Sequence, residues 1–189
     1  MEDQYKKMAE KTIDRQEIYH GKIIDVFVDT VALPMGGTAK RELVFHPGGV
    51  GIVPLTAENK IILVKQFRKP MEKVMLEIPA GKLDPGEDKD PLAAAKRELE
   101  EEIKMRAIDW QRLSGVYLSP GYANEFLHIY LARDLYAVAH PRAQDPDEWI
   151  LPEAYSLAEA KQMIAEGTIQ DAKTVIGIQA WEIRTLKGE

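Results

Sequence analysis

Residues 81–105, GKLDPGEDKDPLAAAKRELEEEIKM, join a loop rich in glycine and proline to a helix dense in glutamate, and no other stretch constrains the fold as much. Asp90 followed by Pro91 reads as a helix start: a capping side chain, then proline at the first helical position, where its missing N–H is not needed. Leu92, Ala95, Leu99 and Ile103 recur at three- and four-residue steps and give one apolar stripe, so the helix must lie against a core. Glu98, Glu101 and Glu102 stand at i, i+3 and i+4, which puts their carboxylates on one face. Carboxylates this close repel unless something positive lies among them. A hard divalent cation such as Mg2+ suits oxygen ligands of this kind. The plain alternative is a solvated acidic face, which most glutamate runs on helices are.

Before this stretch the chain is patterned for antiparallel sheet. Residues 1–17 are polar and read as a loose arm or short helix. Residues 18–33, IYHGKIIDVFVDTVAL, are rich in β-branched and aromatic side chains, and residues 34–37, PMGG, read as a turn. Thr38 to Phe45 then returns as a second strand, making a hairpin. A unit of residues 1–45 is too small to bury much by itself, so it is expected to pack on the rest of the chain or on a second copy. Short apolar runs follow at Val50–Leu55, Ile61–Phe67 and Val74–Pro79. Lys65, Arg68, Lys69 and Lys73 cluster at the end of the second run; they can receive phosphate or form a solvated rim.

After the glutamate helix, strands are expected within Trp110–Leu118 and over Phe126–Ala132, with Ser119-Pro120-Gly121 between them. Residues 140–148 read as an acidic loop. Two helices close the chain, Leu157–Glu166 capped by Ser156 and Ala172 to about Leu186 capped by Asp171. Strands, one helix, more strands and two helices do not make a regular βαβ alternation; the order favours an α+β fold, a mixed sheet with helices on its faces.

The 189 residues suit one domain with a small appendage, and the formal net charge of −6 argues against a nucleic-acid surface built on bulk charge. The chain has no cysteine, which removes disulfides, thiol nucleophiles and cysteine–zinc sites. No apolar stretch is long enough to span a membrane and the N-terminus lacks the apolar segment of a signal peptide, so a cytoplasmic protein is the expectation. Neither GxGxxG nor GxxxxGK[ST] is present.

Gly81 and Glu87, with Arg97, Glu98, Leu99, Glu101, Glu102 and Met105, resemble the signature box of the Nudix hydrolases. The flanking Val64-Lys65-Gln66-Phe67-Arg68, Leu76-Glu77-Ile78-Pro79-Ala80-Gly81 and Ser119-Pro120-Gly121-Tyr122 are similar to the ADP-ribose pyrophosphatase branch. The box departs from the pattern twice. Nine residues, Asp88 to Lys96, separate Glu87 from Arg97 where the pattern has seven, and Lys104 stands in place of a glycine. The extra residues are most simply absorbed before Pro91, because the helical register beyond it is intact. Lysine in the left-handed conformation that glycine favours at a helix exit costs roughly 1 kcal/mol or more.

The resemblance implies an α/β/α sandwich with a mixed sheet over residues 46–189, preceded by an N-terminal antiparallel sheet over 1–45 that dimerises. It implies Mg2+-dependent hydrolysis, with Mn2+ also compatible, of the pyrophosphate bond of ADP-ribose or a related nucleoside diphosphate derivative; a nucleotide sensor using the same cleft is the competing reading. Nucleic acid and membrane are not expected partners. On this analogy Glu98, Glu101, Glu102 and the Ala80 carbonyl hold metal. Glu148 is the favoured catalytic base from the late acidic loop, with Asp147 and Asp145 beside it. Gly81, Glu87 and Arg97 order the box, and Arg68 and Arg41 contact diphosphate or ribose. Ile24 and Phe27 are candidates for the adenine wall, with Tyr122 lining the cleft; each of the three is equally well read as sheet packing.

Overall fold

A computed structural model describes residues 6–144, 146 and 148–188. The chain divides into two compact units, Met1–Pro47 with Ser119–Glu125, and Gly48–Leu118 with Phe126–Glu189.

The first unit is an antiparallel sheet of β1 (Lys11–His20), β2 (Asp25–Ala32) and β3 (Thr38–Phe45), in the order β1-β2-β3. The turn read at residues 34–37 is present, with Gly36 and Gly37 both at positive φ. Residues 11–17, expected as arm or helix, are extended instead: β1 is exposed along its whole length and pairs with β2 from Lys11↔Ala32 to His20↔Asp25. Its polar sequence hides the strand, because the pairing is fixed by cross-strand contacts rather than by burial. Asp29 supplies much of that pairing. It is nearly inaccessible and receives Thr12 Oγ1 at 3.0 Å and Arg15 through Nε and Nη2 at 2.7 and 2.8 Å.

The second unit carries β4 (Gly49–Pro54), β5 (Ile61–Arg68), β6 (Lys73–Glu77), β7 (Ala80–Lys82), β8 (Met105–Tyr117), β9 (Phe126–Ala137) and β10 (Ile150–Tyr155). It also carries helices α1 (Pro91–Ile103), α2 (Leu157–Ala165) and α3 (Ala172–Lys187). Its strands form two sheets, ordered β7-β4-β9-β8 and β10-β5-β6; β4 and β9 run parallel and the remaining pairs are antiparallel. β4 and the first half of β5 are continuously buried, which strands covered on both faces must be.

Alternation sends successive side chains to opposite layers. Val50, Ile52, Ile62, Val64, Tyr130 and Ala132 pack with Ala94, Ala95, Leu99 and Ile103 of α1. Val53, Ile61, Leu63, Ile129 and Leu131 pack with Ile178 and Trp181 of α3. Gly177 lets α3 approach the sheet, since a Cβ there would stand 2.8 Å from Val53 Cγ2. The result is the helix–sheet–helix arrangement expected of the second unit. β10 was not legible in the sequence and is taken up below.

Candidate active site

The helix start at Asp90-Pro91 is as the sequence dictates: Asp90 Oδ1 accepts from Ala93 N at 3.3 Å, and Pro91 opens α1. The two surplus residues of the box are taken up by a short 3₁₀ turn over Glu87–Lys89, entered through Gly86 at φ 94°. Glu87 and Arg97 still meet across it, with Arg97 Nε and Nη2 donating at 3.1 and 2.9 Å. Glu87 also accepts from Asp84 N at 2.8 Å, so it ties the loop to the helix. Arg97 Nη1 bridges Glu98 and Glu101 at 2.8 and 2.9 Å. The contact with Glu87, followed by the charges of Glu98 and Glu101, raises the Arg97 pKa above its already high ordinary value.

Glu98 and Glu102 are buried, with 8% and 3% of their surface exposed, while Glu101 is half-buried. Glu98 lies directly on Gly81: a Cβ at position 81 would come within 1.9 Å of Glu98 Oε1. A side chain at 81 would therefore have to displace the Glu98 carboxylate, and the Gly81 backbone itself is not at positive φ. Glu102 Oε2 accepts from Ala80 N at 3.2 Å, so β7 presents its backbone to the carboxylate face of α1.

Burial pushes the Glu98 carboxyl up to about 7; Arg97 opposes the shift, and Glu101 and Glu148 add to it. Glu102 is raised well above the usual carboxylate range, by burial first and then by the charges of Glu98 and Glu148. Glu148 thus acts electrostatically on both helix carboxylates from the loop before β10. Asp145 and Asp147 lie outside the described residues.

Next to this group stands a second cluster. Arg68 at the end of β5 donates Nε and Nη2 to the two oxygens of Glu77, each at 2.8 Å. Lys173 Nζ also bonds Glu77 and lies 3.1 Å from Asp171 Oδ2. Burial disfavours ionisation of Glu77, but Arg68 and Lys173 more than offset it and bring its carboxyl down to about 2. Glu77 and Lys173 were not singled out from the sequence, where their positions in Leu76-Glu77-Ile78-Pro79 and Asp171-Ala172-Lys173-Thr174 were the only signal. The other basic residues near Arg68 also have partners: Lys65 with Glu153, Lys69 with Glu72, and Lys73 with Gln170. For these three the rim reading fits.

The remaining expected contacts belong to the first unit. Arg41 bonds Glu10 through Nε and Nη2 at 2.9 and 2.6 Å, and Nη1 donates to Lys40 O at 3.1 Å. Phe27 meets Phe45 edge-on at 5.5 Å with Arg15 over its face, and Ile24 and Tyr122 are exposed.

Among the described residues no three histidine, aspartate or glutamate side chains converge tightly enough to hold a metal ion as they stand. Arg97 holds Glu98 and Glu101 by one edge, and Ala80 N holds Glu102 by one oxygen. The donor set nevertheless fits a hard divalent cation: desolvated carboxylate oxygens that raise one another's pKa are stabilised by a positive charge placed among them.

Residues 45–174 match the NUDIX domain family. The chain is 42% identical to the ADP-ribose pyrophosphatase of Bacillus subtilis over 95% of its length and 96% of that protein's. It is 44% identical to the methanol dehydrogenase activator of Bacillus methanolicus, over the same shares of the two chains. A crystal structure described as an ADP compounds hydrolase superposes with a TM-score of 0.82 at 24% identity, covering 95% of each chain, and shares its fold.

Proposed function

Since the chain belongs to the NUDIX domain family, we propose that its carboxylate cleft hydrolyses the pyrophosphate bond of ADP-ribose or a related nucleoside diphosphate sugar, giving a nucleoside monophosphate and a sugar phosphate. The observation that carries this reading is the seating of Glu98 on Gly81 while Arg97 gathers Glu87, Glu98 and Glu101. Identity of 42% to a named ADP-ribose pyrophosphatase along nearly the whole chain supports the substrate class.

Glu98 and Glu102, with Glu101 and the Ala80 carbonyl, would hold Mg2+ or Mn2+. When bound, the metal neutralises diphosphate charge and lowers the pKa of the attacking water. Glu148 takes the water proton as the water oxygen attacks phosphorus and the bridging P–O bond breaks. Arg97 keeps Glu98 and Glu101 from turning away from the cleft, and Glu87 fixes the loop that carries Gly81. Arg68 uses Nε and Nη2 on Glu77, which leaves Nη1 as its donor to a phosphate or ribose oxygen. Arg41, supplied by a second copy of the chain, would exchange Glu10 for diphosphate.

A homodimer through the first unit is part of this proposal. β1 has one edge unpaired among the described residues, and Ile13, Ile18 and Tyr19 on it are exposed. Such an edge with apolar side chains suits a second copy of the chain. Ile24, Phe27 and Tyr122 would then line a base-binding wall completed between copies, and light scattering of wild type against Ile18→Asp tests the dimer. A cytoplasmic location is part of the proposal, and among the described residues no helix is long and apolar enough to cross a membrane.

The deciding experiment is a hydrolysis panel with Mg2+ and product identification. Release of AMP from ADP-ribose, lost in Glu102→Gln with unchanged circular dichroism, supports the reading. No turnover of any nucleotide sugar, dinucleotide or nucleoside triphosphate overturns it. A second reading, a nucleotide sensor using the same cleft, is favoured by the 44% identity to a protein named as an activator. Calorimetry would then show nucleotide binding without turnover.

A further inference from the structure

Helix α1 has two chemically different faces. At about 100° per residue, Ala93, Lys96 and Glu100 point nearly opposite to Glu98 and Glu102. Against that second face lies a cavity of about 420 Å³, walled by α1, the start of β8, the end of β9 and the loop beyond it. This volume lies within the range of small-ligand sites.

The lining is cationic and aromatic. Lys96, Arg106 and Arg142 reach it, with Arg97 at its edge, and Glu100 is the one carboxylate among the described residues that line it. Arg97 is committed to Glu87, Glu98 and Glu101, and Arg106 Nε donates to Glu100 Oε2 at 2.7 Å. Lys96 and Arg142 are different. Lys96 is exposed and has no partner among the described residues. The Arg142 guanidinium is ion-paired with Glu100 and Glu101, each at 3.9 Å, a separation at which it makes no hydrogen bond to either and can still donate to an incoming anion. Lys96 and the loosely paired Arg142 thus converge on one cavity whose lining carboxylate among the described residues, Glu100, is already bonded by Arg106 Nε and Arg142 N. Trp110 and Tyr136 supply flat apolar wall, and the Trp110 indole N–H is satisfied by Ala107 O at 3.1 Å, leaving its faces for contact.

We infer that this cavity is a second ligand site, across α1 from Glu98 and Glu102, for a phosphate monoester that carries an aromatic ring, of the nucleoside monophosphate class. The phosphate meets Lys96 and Arg142, as planar guanidinium and ammonium groups favour. The ring lies against Trp110 and Tyr136, where stacking tolerates any base. Arg142 sits on the loop that leads to Glu148, and its backbone N–H donates to Glu100 Oε1 at 3.1 Å. An occupant therefore touches the carboxylate cleft's loop without entering the cleft. Binding at the cavity does not depend on the hydrolase reading.

Tryptophan fluorescence tests it. Trp181 is core and Trp149 is 80% exposed beside Glu148, so in Trp149→Phe the responsive indole is Trp110. AMP, adenosine and inorganic phosphate are titrated into this protein in chelator, which removes turnover. Saturable quenching by AMP is expected, weakened at least about tenfold by Lys96→Glu. Tyr136→Ala is expected to weaken AMP and leave inorganic phosphate unchanged. Both substitutions are at exposed positions, and melting curves check the fold. Absence of quenching up to about 10 mM AMP, or quenching that neither substitution weakens, overturns the site, since the latter shows that AMP meets neither Lys96 nor Tyr136.

Discussion

Glu77 and Glu102 are the same residue type, both almost fully buried in the same unit, and they sit at opposite ends of the carboxylate range. Glu77 has two cations on it, and its pKa falls to about 2. Glu102 has one backbone N–H, and burial together with the charges of Glu98 and Glu148 drives it well upward. Burial alone therefore does not mark a functional carboxylate. What marks it is burial without compensation, which native structures tolerate where a ligand supplies the missing charge. Glu77 is neutralised by two cations of its own, whereas Glu98 shares Arg97 with Glu87 and Glu101, and Glu102 is bonded by a backbone N–H.

Substitution of each glutamate is the strongest way to break this contrast. Glu102→Gln removes a buried repulsive charge, so hydrolysis should fall by about three orders of magnitude while the metal-free protein melts no lower than wild type. Glu77→Ala should do the reverse damage. It leaves the half-buried Arg68 without its carboxylate and the buried Lys173 with Asp171 alone, at a cost of about 3 kcal/mol in chemical denaturation. If Glu102→Gln destabilised and Glu77→Ala did not, the two roles would have to be exchanged.

The same contrast has a pH signature. Glu77 is depressed from 4.5 to about 2, so its stabilising contribution is present above pH 4.5 and lost as pH falls through 2. Glu98 is raised from 4.5 to about 7, so the folded protein holds its proton longer than the unfolded chain does. Its contribution therefore declines as pH rises through that window. Without metal, stability should peak between the two and fall toward pH 7. Mg2+ should restore it above pH 7, because a cation competes with the proton for Glu98. Melting temperature against pH, with and without Mg2+, measures both limbs; a metal-free protein whose stability climbs steadily from pH 5 to 8 would contradict the raised Glu98.

How far this was legible depends on whether a residue's partner lies nearby in sequence. The α1 cap, its apolar stripe and the Glu98–Glu101–Glu102 spacing are local, and all three read directly from the chain. The family resemblance extended that to Gly81, Glu87 and Arg97. Glu77 is different: its partner Lys173 lies in a helix begun 95 positions later, so no local pattern could reveal that Glu77 is neutralised. β10 escaped for another reason. Pro152 in ILPEAY argues against a strand, but β10 is the edge of its sheet, and proline is tolerated where one backbone side faces no neighbour. The polar β1 escaped because an exposed edge strand carries no burial alternation.

Lys104 offers the smallest and most discriminating test. It occupies the left-handed helix exit at φ 60°, so the strain of a non-glycine residue there is accepted rather than relieved. Its side chain does what glycine could not: Nζ donates to Glu101 O at 2.7 Å and to Arg142 O at 2.9 Å. One bond closes the end of α1 beside the metal-ligand candidates, and the other holds the loop that leads to Glu148. In Lys104→Gly the relief of about 1 kcal/mol of backbone strain is set against two lost hydrogen bonds of about 0.5–1.5 kcal/mol each. Stability should therefore fall by between about 0 and 2 kcal/mol. Hydrolysis should still fall several-fold in kcat with KM nearly constant if Glu148 is the base proposed above, because a loosened loop would misplace it more than it disturbs substrate binding. Lys104→Arg, which keeps a donor at the end of a long stem, should recover part of that loss. A glycine variant that gains stability and keeps wild-type kcat would mean that the lysine is a tolerated departure from the box and that the loop is held by Glu100 alone, through its contact with Arg142 N.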